Sequence, residues 1–136
     1  MSAVENLIAL LKTSGQNVTK PRLAVFEALL GQESLSMPEL IGKVREVDRA
    51  SVYRVIETFE RLGIIQRLHT GWKYKLELSD RFAEHHHHLT CTTCGRSIAM
   101  NEADLERVIR RVAAGHGFAP AAHQIEVQGT CADCRG

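Results

Sequence analysis

The chain has 136 residues, of which 44% are hydrophobic and 24% charged, and its formal net charge is +1; this length suits one domain of common size or two small ones. Aromatic residues make up only 5%, which argues against a base-stacking platform for single-stranded nucleic acid, and the near-neutral charge confines any duplex contact to a local patch. No apolar run reaches the roughly 20 residues of a membrane span, and residues 1–12 lack the apolar core of a signal peptide. We therefore expect a cytoplasmic protein with no membrane partner.

Four helices are predicted in the first half of the chain. An amphipathic segment covers residues 4–12, and a second helix follows Thr19 as N-cap, with Pro21 in its first turn. Residues 36–39 match a capping box that opens a third helix, and a fourth helix is predicted over residues 49–62. The apolar stripe predicted for the second helix is Leu23, Phe26, Leu29 and Leu30. The buried face predicted for the fourth is Val52, Val55, Ile56, Phe59 and Leu62.

Two strand-like runs follow the fourth helix, at residues 64–69 and 72–78, joined by Thr70 and Gly71. Helices followed by one small hairpin describe a winged helix-turn-helix, whose last helix would enter the major groove. The side chains off the apolar face of that helix include Arg49, Ser51, Tyr53 and Arg54. Arginines, a hydroxyl and a tyrosine suit phosphate and base-edge contacts, although an ordinary solvated face is the alternative.

The composition changes after a short polar stretch at residues 80–84, where we place a hinge. Residues 88–100 read as a strand, a knuckle and a second strand. A helix is predicted over residues 103–114, and a short strand over residues 124–128. One side of that helix carries Leu105, Val108, Ile109 and Val112.

All four cysteines fall into two CxxC pairs, Cys91 with Cys94 and Cys131 with Cys134. Thiolates spaced in this way can turn toward one ion, and two such pairs complete a tetrahedral shell. A redox pair or disulfides explain two matched pairs less well in a cytoplasmic protein. We therefore predict a closed, structural zinc site that contributes directly to folding.

A run of four histidines, residues 85–88, lies just before the first CxxC pair. In an extended strand alternate side chains face opposite sides, so His85 and His87 would point one way and His86 and His88 the other. This geometry predicts two metal sites on two faces of one strand, with a solvated polar hinge as the alternative. Candidate partners for the first face are Glu106 and His123. Both are distant from the run in sequence, so spacing alone does not bring them to it.

Three functional classes are compatible with these motifs. A DNA-binding regulator would use the helix and the metal sites together, whereas a cytoplasmic zinc-storage or zinc-delivery protein would use the histidines alone. A metallohydrolase would need an open metal position, but neither HExxH nor GxSxG occurs and every cysteine is already assigned. We expect no enzymatic activity and no small-molecule substrate, and keep storage or delivery as the alternative.

With these residues in view, the chain resembles the ferric uptake regulator (Fur) family of metal-dependent transcriptional repressors over nearly its whole length. Residues 18–22 (VTKPR) are similar to the family's V-T-x-x-R motif, and residues 50–54 (ASVYR) to its A-T-V-Y-R recognition-helix signature, with Ser51 where threonine is usual. Residues 85–95 and 129–134 resemble its C-terminal metal motifs.

The resemblance implies an α+β fold in three parts: a winged helix-turn-helix DNA-binding domain over residues 1–79, the hinge at 80–84, and a small α/β dimerisation domain over 85–136 with the structural four-cysteine zinc. It also implies a homodimer that binds an inverted-repeat operator in double-stranded DNA when its regulatory metal is present. The implied DNA-binding residues are Arg22, Arg49, Ser51, Tyr53 and Arg54. The implied regulatory metal site is His85, His87, Glu106 and His123. The implied hinge metal site is Glu77, His86 and His88.

The regulatory ion would be zinc or iron(II), with manganese(II) as a further candidate. Many iron regulators carry an aspartate at His87, and the nitrogen-rich version here favours zinc and the zinc uptake regulator (Zur) branch. Glu77 argues the other way, because zinc regulators often have a cysteine there. Ser34 and Ala99 stand where iron and peroxide sensors supply a histidine and a carboxylate, which disfavours peroxide sensing by iron oxidation and leaves the hinge site short of ligands. Candidate replacements are His69, Gln66 and a water.

Overall fold

The computed structural model describes residues 2–32, 34–70, 72–83 and 85–136. Gly71 of the predicted turn and Glu84 of the predicted hinge lie outside the described residues. The chain divides into two compact units, Met1–Glu84 and His85–Gly136. In the part of the chain that the structure describes, no helix has the length and apolarity needed to cross a membrane.

The first unit opens with four helices whose starts are set by capping side chains. The helices are α1 (Ala3–Thr13), α2 (Lys20–Leu29), α3 (Met37–Lys43) and α4 (Arg49–Arg61). The side chains of Ser2, Thr19, Ser36 and Asp48 each accept a hydrogen bond from the backbone N–H three residues on. The predicted capping box is confirmed, because Glu39 also accepts from the backbone N–H of Ser36.

A β-hairpin follows α4 after Gly63, whose φ of +71° is a conformation that glycine adopts without strain. Strands β1 (Ile65–Thr70) and β2 (Lys73–Leu78) pair antiparallel, as predicted. Leu35 adds an isolated bridge to Leu76 with two backbone hydrogen bonds of 2.8 and 2.6 Å. The sequence carried no signal for this bridge, because one paired residue has no periodicity.

One hydrophobic core joins the helices and the hairpin of the first unit, and the predicted stripes supply most of it. Phe26 on α2 and Phe59 on α4 are both fully buried. The prediction for Leu30 was wrong: its side chain is 36% exposed, and Val25 is buried in its stead. The reason is that α2 ends at Leu29, and Leu30 adopts an extended conformation that takes it off the helical stripe.

The second unit is built on a three-stranded sheet of order β4-β3-β5. Its elements are β3 (His87–Cys91), β4 (Ser97–Met100), α5 (Ala103–Gly115), β5 (Glu126–Gly129) and the short α6 (Ala132–Arg135). Strand β4 pairs with β3 antiparallel, whereas β5 pairs with β3 in parallel. A parallel pair requires a crossover, and the segment containing α5 supplies it. Helix α6 is not among the elements predicted from the sequence.

The apolar side of α5 is not buried within this unit. None of the residues of α5 is buried, and Val108 and Val112 are 43% and 52% exposed. The sheet has a similar exposed row, because Leu89 pairs in register with Ile98 on one side and Val127 on the other. These three side chains are 40–48% exposed. The second unit therefore leaves apolar side chains of both its helix and its sheet exposed, rather than packing them in a core of its own.

Candidate metal centres and nucleic-acid interface

The four cysteines gather at one end of the three-stranded sheet. Cys91 ends β3, Cys94 lies in the turn toward β4, Cys131 caps α6 and Cys134 lies within α6. Their sulfur atoms all lie within 4.8 Å of one another. The Sγ atoms of Cys94 and Cys131 are 3.8 Å apart, which matches the roughly 3.8 Å between sulfurs that each lie about 2.3 Å from one tetrahedral zinc. The donor set and its spacing therefore fit a four-thiolate ion site.

The surroundings of this cluster already favour a thiolate at one position. The backbone N–H groups of Cys131 and Cys94 donate to Cys91 Sγ at 3.3 and 3.5 Å. These bonds lower the pKa of the Cys91 thiol to about 6. Hydrogen bonds with the thiols of Cys131 and Cys94 raise the pKa of Cys134 to about 12, because these bonds favour the protonated thiol. A bound cation would favour the thiolate form of all four cysteines.

A second cluster brings together three imidazoles and one carboxylate from three separate segments. Its members are His85, His87, Glu106 and His123, which offer ligand atoms within 4.8 Å of one another. The Nε2 atoms of His85 and His123 lie 3.2 Å apart. Glu106 uses both oxygens, with Oε1 2.6 Å from His87 Nε2 and Oε2 2.6 Å from His123 Nε2. Nitrogen and carboxylate donors of this kind bind zinc, iron(II) and manganese(II).

The elements of the second unit explain how these side chains meet. His87 lies in β3 and is fully buried, Glu106 lies in the first turn of α5, and His123 precedes β5. The backbone N–H of Ile125 donates to His87 Nδ1 at 3.1 Å and so orients the ring. Burial alone would raise the pKa of Glu106, but the hydrogen bond with His87 and the nearby charges of His123 and His85 lower it.

The alternation predicted for the histidine run is visible in the ring positions. The ring centroids of His85 and His87 lie 4.7 Å apart, and those of His86 and His88 also lie 4.7 Å apart. Of the second pair, His88 is almost fully buried. Glu77, the remaining member of the predicted hinge site, belongs to the first unit. It is buried in β2, and Gln66 Nε2 donates to its Oε1 at 2.6 Å. The hinge site stays a prediction.

The polar residues predicted for DNA binding lie on the outer side of α4. Arg49 and Arg54 are exposed, and Tyr53 is 44% exposed. The Ser51 hydroxyl donates to Asp48 Oδ1 at 2.6 Å and accepts from Arg54 Nη2 at 2.9 Å. Asp48 is not among the functional residues predicted from the sequence, although an acidic residue just before a helix is a recognisable N-cap signal.

Asp48 is ionised more readily than an ordinary aspartate. The hydrogen bonds from the Ser51 hydroxyl and backbone N–H lower the pKa of its carboxyl. The remaining predicted DNA-binding residue, Arg22, lies on α2 and is half-buried. Its guanidinium donates to the Asn17 carbonyl at 2.7 Å and to Gln16 Oε1 at 3.0 Å.

Comparison with known proteins places this arrangement among metal regulators. The sequence model of the Ferric uptake regulator family matches residues 13–128. The ferric uptake regulation protein of Neisseria meningitidis serogroup A is 34% identical over 139 residues, which cover 96% of this chain and 94% of that protein.

Solved structures agree with the sequence comparison. The ferric uptake regulator of Vibrio cholerae is 32% identical, with a TM-score of 0.74 over 91% of this chain and 98% of that one. The ferric uptake regulator of Helicobacter pylori shares the fold with a TM-score of 0.82 at 24% identity, over 98% of this chain and 92% of that one. The α+β class and the winged helix-turn-helix predicted from the sequence are thereby confirmed.

Proposed function

The chain belongs to the ferric uptake regulator family, and from that premise we propose that it represses transcription in the cytoplasm by binding an inverted-repeat operator as a metal-loaded dimer. Regulators of this family respond to metal ions, bind DNA and form dimers. We assign the sensing role to His85, His87, Glu106 and His123, and the structural role to the cysteine cluster. The protein regulates metal-ion homeostasis and has no enzymatic role.

The observation that carries the proposal is the convergence of three imidazoles on one carboxylate. Glu106 is mostly buried and contacts His87 and His123 at 2.6 Å each. A divalent ion bound there would supply positive charge that links β3, α5 and the segment before β5. Such a link stabilises this arrangement of the second unit, since an ion that binds one conformation preferentially shifts the population toward it. DNA affinity then rises only if that conformation is also the one that binds DNA.

The exposed apolar row of the sheet supports the dimer. Leu89, Ile98 and Val127 lie side by side on one face of β4, β3 and β5, and α5 adds Val108 and Val112. In a monomer this apolar surface would stay exposed to water, at a free-energy cost of about 25 cal/mol per Å². We assign it to a second copy of the chain, because the family assembles as dimers.

The nitrogen content of the sensing cluster favours zinc over iron(II), with manganese(II) as a third candidate. Three of its four donors are imidazoles, which suit borderline metals, while iron and manganese accept more oxygen. This preference supports assignment to the Zur branch. The four-thiolate cluster takes zinc in either case, because a closed shell of four sulfurs is typical of structural zinc.

The decisive experiment compares metal content with DNA binding. Purified protein is dialysed against mild EDTA, its metal per chain is counted, and each candidate ion is returned anaerobically. A duplex is recovered from a random pool by selection in the presence of the ion, and its affinity is measured by fluorescence anisotropy. We expect one zinc per chain to resist EDTA, and the exchangeable ion to tighten duplex binding at least tenfold.

The alternative function, zinc storage or delivery, gives a different result in the same assay. A storage protein would regain the exchangeable ion without any change in duplex affinity. A chain that retains one zinc and regains no further ion would leave the fold intact but remove the sensing role. The ion that gives half-maximal DNA binding at the lowest free concentration identifies the effector.

A further inference from the structure

An open cleft of about 490 Å³ lies between the start of α2 and the outer side of α4. Its polar lining comes from Asn17, Thr19 and Arg22 on one wall and from Ser51, Arg54 and Thr58 on the other. No acidic side chain is among the described residues that line it. Two guanidinium groups and the hydroxyls of Thr19 and Thr58 line one space, and both kinds of group are donors that bind a phosphate.

Arg54 is held in place by a chain of two hydrogen bonds. A hydroxyl has a single proton to donate, and Ser51 gives its proton to Asp48 Oδ1 at 2.6 Å. Its oxygen is thereby turned to accept from Arg54 Nη2 at 2.9 Å. Asp48 lies outside the cleft lining, so it acts on Arg54 through Ser51 rather than on a ligand.

Arg22 is held by a different set of partners on the opposite wall. Its bonds to the Asn17 carbonyl and to Gln16 use two of the five N–H donors of the guanidinium. The half-buried side chain is therefore ordered before any ligand arrives. The cleft also adjoins the first turn of the ten-residue α2, whose backbone dipole adds partial positive charge.

We propose that this cleft is the subsite for a single backbone phosphate of the duplex, shared by Arg22 and Arg54, with Asp48 and Ser51 as positioning residues for Arg54. The proposal rests on the DNA-binding function proposed above. It separates two kinds of contact on α4: the cleft anchors the backbone and sets the register of the helix, whereas Tyr53 on the exposed side is left to contact base edges.

The first test is the dependence of duplex affinity on salt concentration. Each phosphate neutralised by the protein contributes about 0.9 to the slope of log K against log salt. Arg54→Gln should lower the slope by roughly that amount per protomer and weaken binding about tenfold at ordinary salt. The double variant R22Q/R54Q should lower the slope no further, because the phosphate is held between the two arginines and the loss of either one already releases it. Arg61→Gln, at the other end of α4, is the matched control and should leave the slope unchanged.

The second test identifies the phosphate chemically. Single methylphosphonate substitutions, which remove one backbone charge, are placed in turn along the selected duplex. At one position per half-site the wild-type protein should lose affinity, while R54Q and R22Q should lose nothing more. Separate sensitive positions for the two variants, additive slope losses, or unchanged slopes would each overturn the shared subsite. A wild-type protein without DNA affinity would instead defeat the proposed function.

Two further variants separate positioning and folding from direct contact. Ser51→Ala should reduce the salt slope as R54Q does, and Ser51→Thr, which keeps the hydroxyl, should restore it. Since Arg22 also holds residues 16 and 17, Arg22→Lys is added because it keeps the charge: its slope should match wild type. An R22K slope as low as that of R22Q, with the thermal unfolding midpoint lowered equally, would show that Arg22 is only structural.

Discussion

The carboxylate of Glu60, near the end of α4, accepts two hydrogen bonds from the guanidinium of Arg67 in β1. Arg67 Nε lies 2.8 Å from Oε2 and Arg67 Nη2 lies 2.7 Å from Oε1. The same guanidinium stacks over the ring of Tyr74 in β2, 4.3 Å from its centroid. This paired contact connects helix α4 directly to the hairpin. The hydrogen bonds to Glu60 also raise the pKa of the Arg67 guanidinium above its usual value.

Breaking that pair should loosen the hairpin from the helix. Both side chains are about one-third exposed, so solvent screens the pair, and we expect Glu60→Gln to cost about 0.5–1.5 kcal/mol of the free energy of unfolding. Urea unfolding measures the loss, with Glu57→Gln on the exposed side of α4 as control. A double-mutant cycle with Arg67→Gln should give a coupling energy of similar size. Additive losses would show that the two side chains do not stabilise each other.

Replacing Cys91 by serine should remove the structural zinc. Cys91 receives two backbone N–H bonds and ends the central strand of the sheet, so its loss affects all three strands. We expect zinc per chain to fall by one and the circular dichroism of the second unit to change, while the first unit keeps its helices. Limited proteolysis followed by mass spectrometry distinguishes the units. Retention of the EDTA-resistant zinc in this variant would exclude the cysteine cluster as its site.

Glu106→Gln should abolish sensing while preserving the fold. The amide keeps the size of the side chain but loses the charge that three histidines contact, so we expect the affinity for the exchangeable ion to fall at least tenfold. Titration with a competing chelator measures this affinity, and the cysteine-bound zinc should remain. His116→Ala is the matched control, because His116 follows α5 outside the cluster. Metal-dependent DNA binding that survives E106Q would contradict the assignment.

The predicted hinge site has its own test. If Glu77, His86 and His88 bind a second exchangeable ion, the double variant H86A/H88A should lose one exchangeable ion per chain. We expect it also to lose metal-dependent operator binding, with the structural zinc unchanged. Unchanged operator affinity in this variant would remove the hinge site from the mechanism.

Tyr53 should affect sequence preference more than overall affinity. Its ring is exposed on α4, away from the phosphate cleft, so Tyr53→Ala should reduce the ratio of specific to non-specific duplex affinity roughly tenfold. The salt slope should stay the same, since no phosphate contact is removed. Anisotropy measurements with the selected duplex and a scrambled one give both quantities. An equal loss on the two duplexes would mean that Tyr53 contacts the backbone.

Local sequence signals predicted the helices and strands well, but they predicted the metal-binding clusters only in part. Caps such as Ser36 and periodic stripes such as that of α4 depend on neighbours within a few residues, so sequence alone determined them. The convergence of His123 on Glu106 depends on the α5 crossover and the parallel pairing of β5, which no short-range pattern encodes; the family resemblance supplied it. The backbone bond from Ile125 to His87 has no side-chain signature at all.

The parallel pairing of β5 with β3 has a consequence for the order of events during synthesis. Cys131 leaves the ribosome 40 residues after Cys91, a delay of roughly 2–8 s at the usual 5–20 residues per second. During that interval only the first CxxC pair is available, so the four-cysteine site lacks two of its ligands. The nascent second unit must therefore stay open until translation has passed β5, and zinc capture becomes the step that commits it to its final structure.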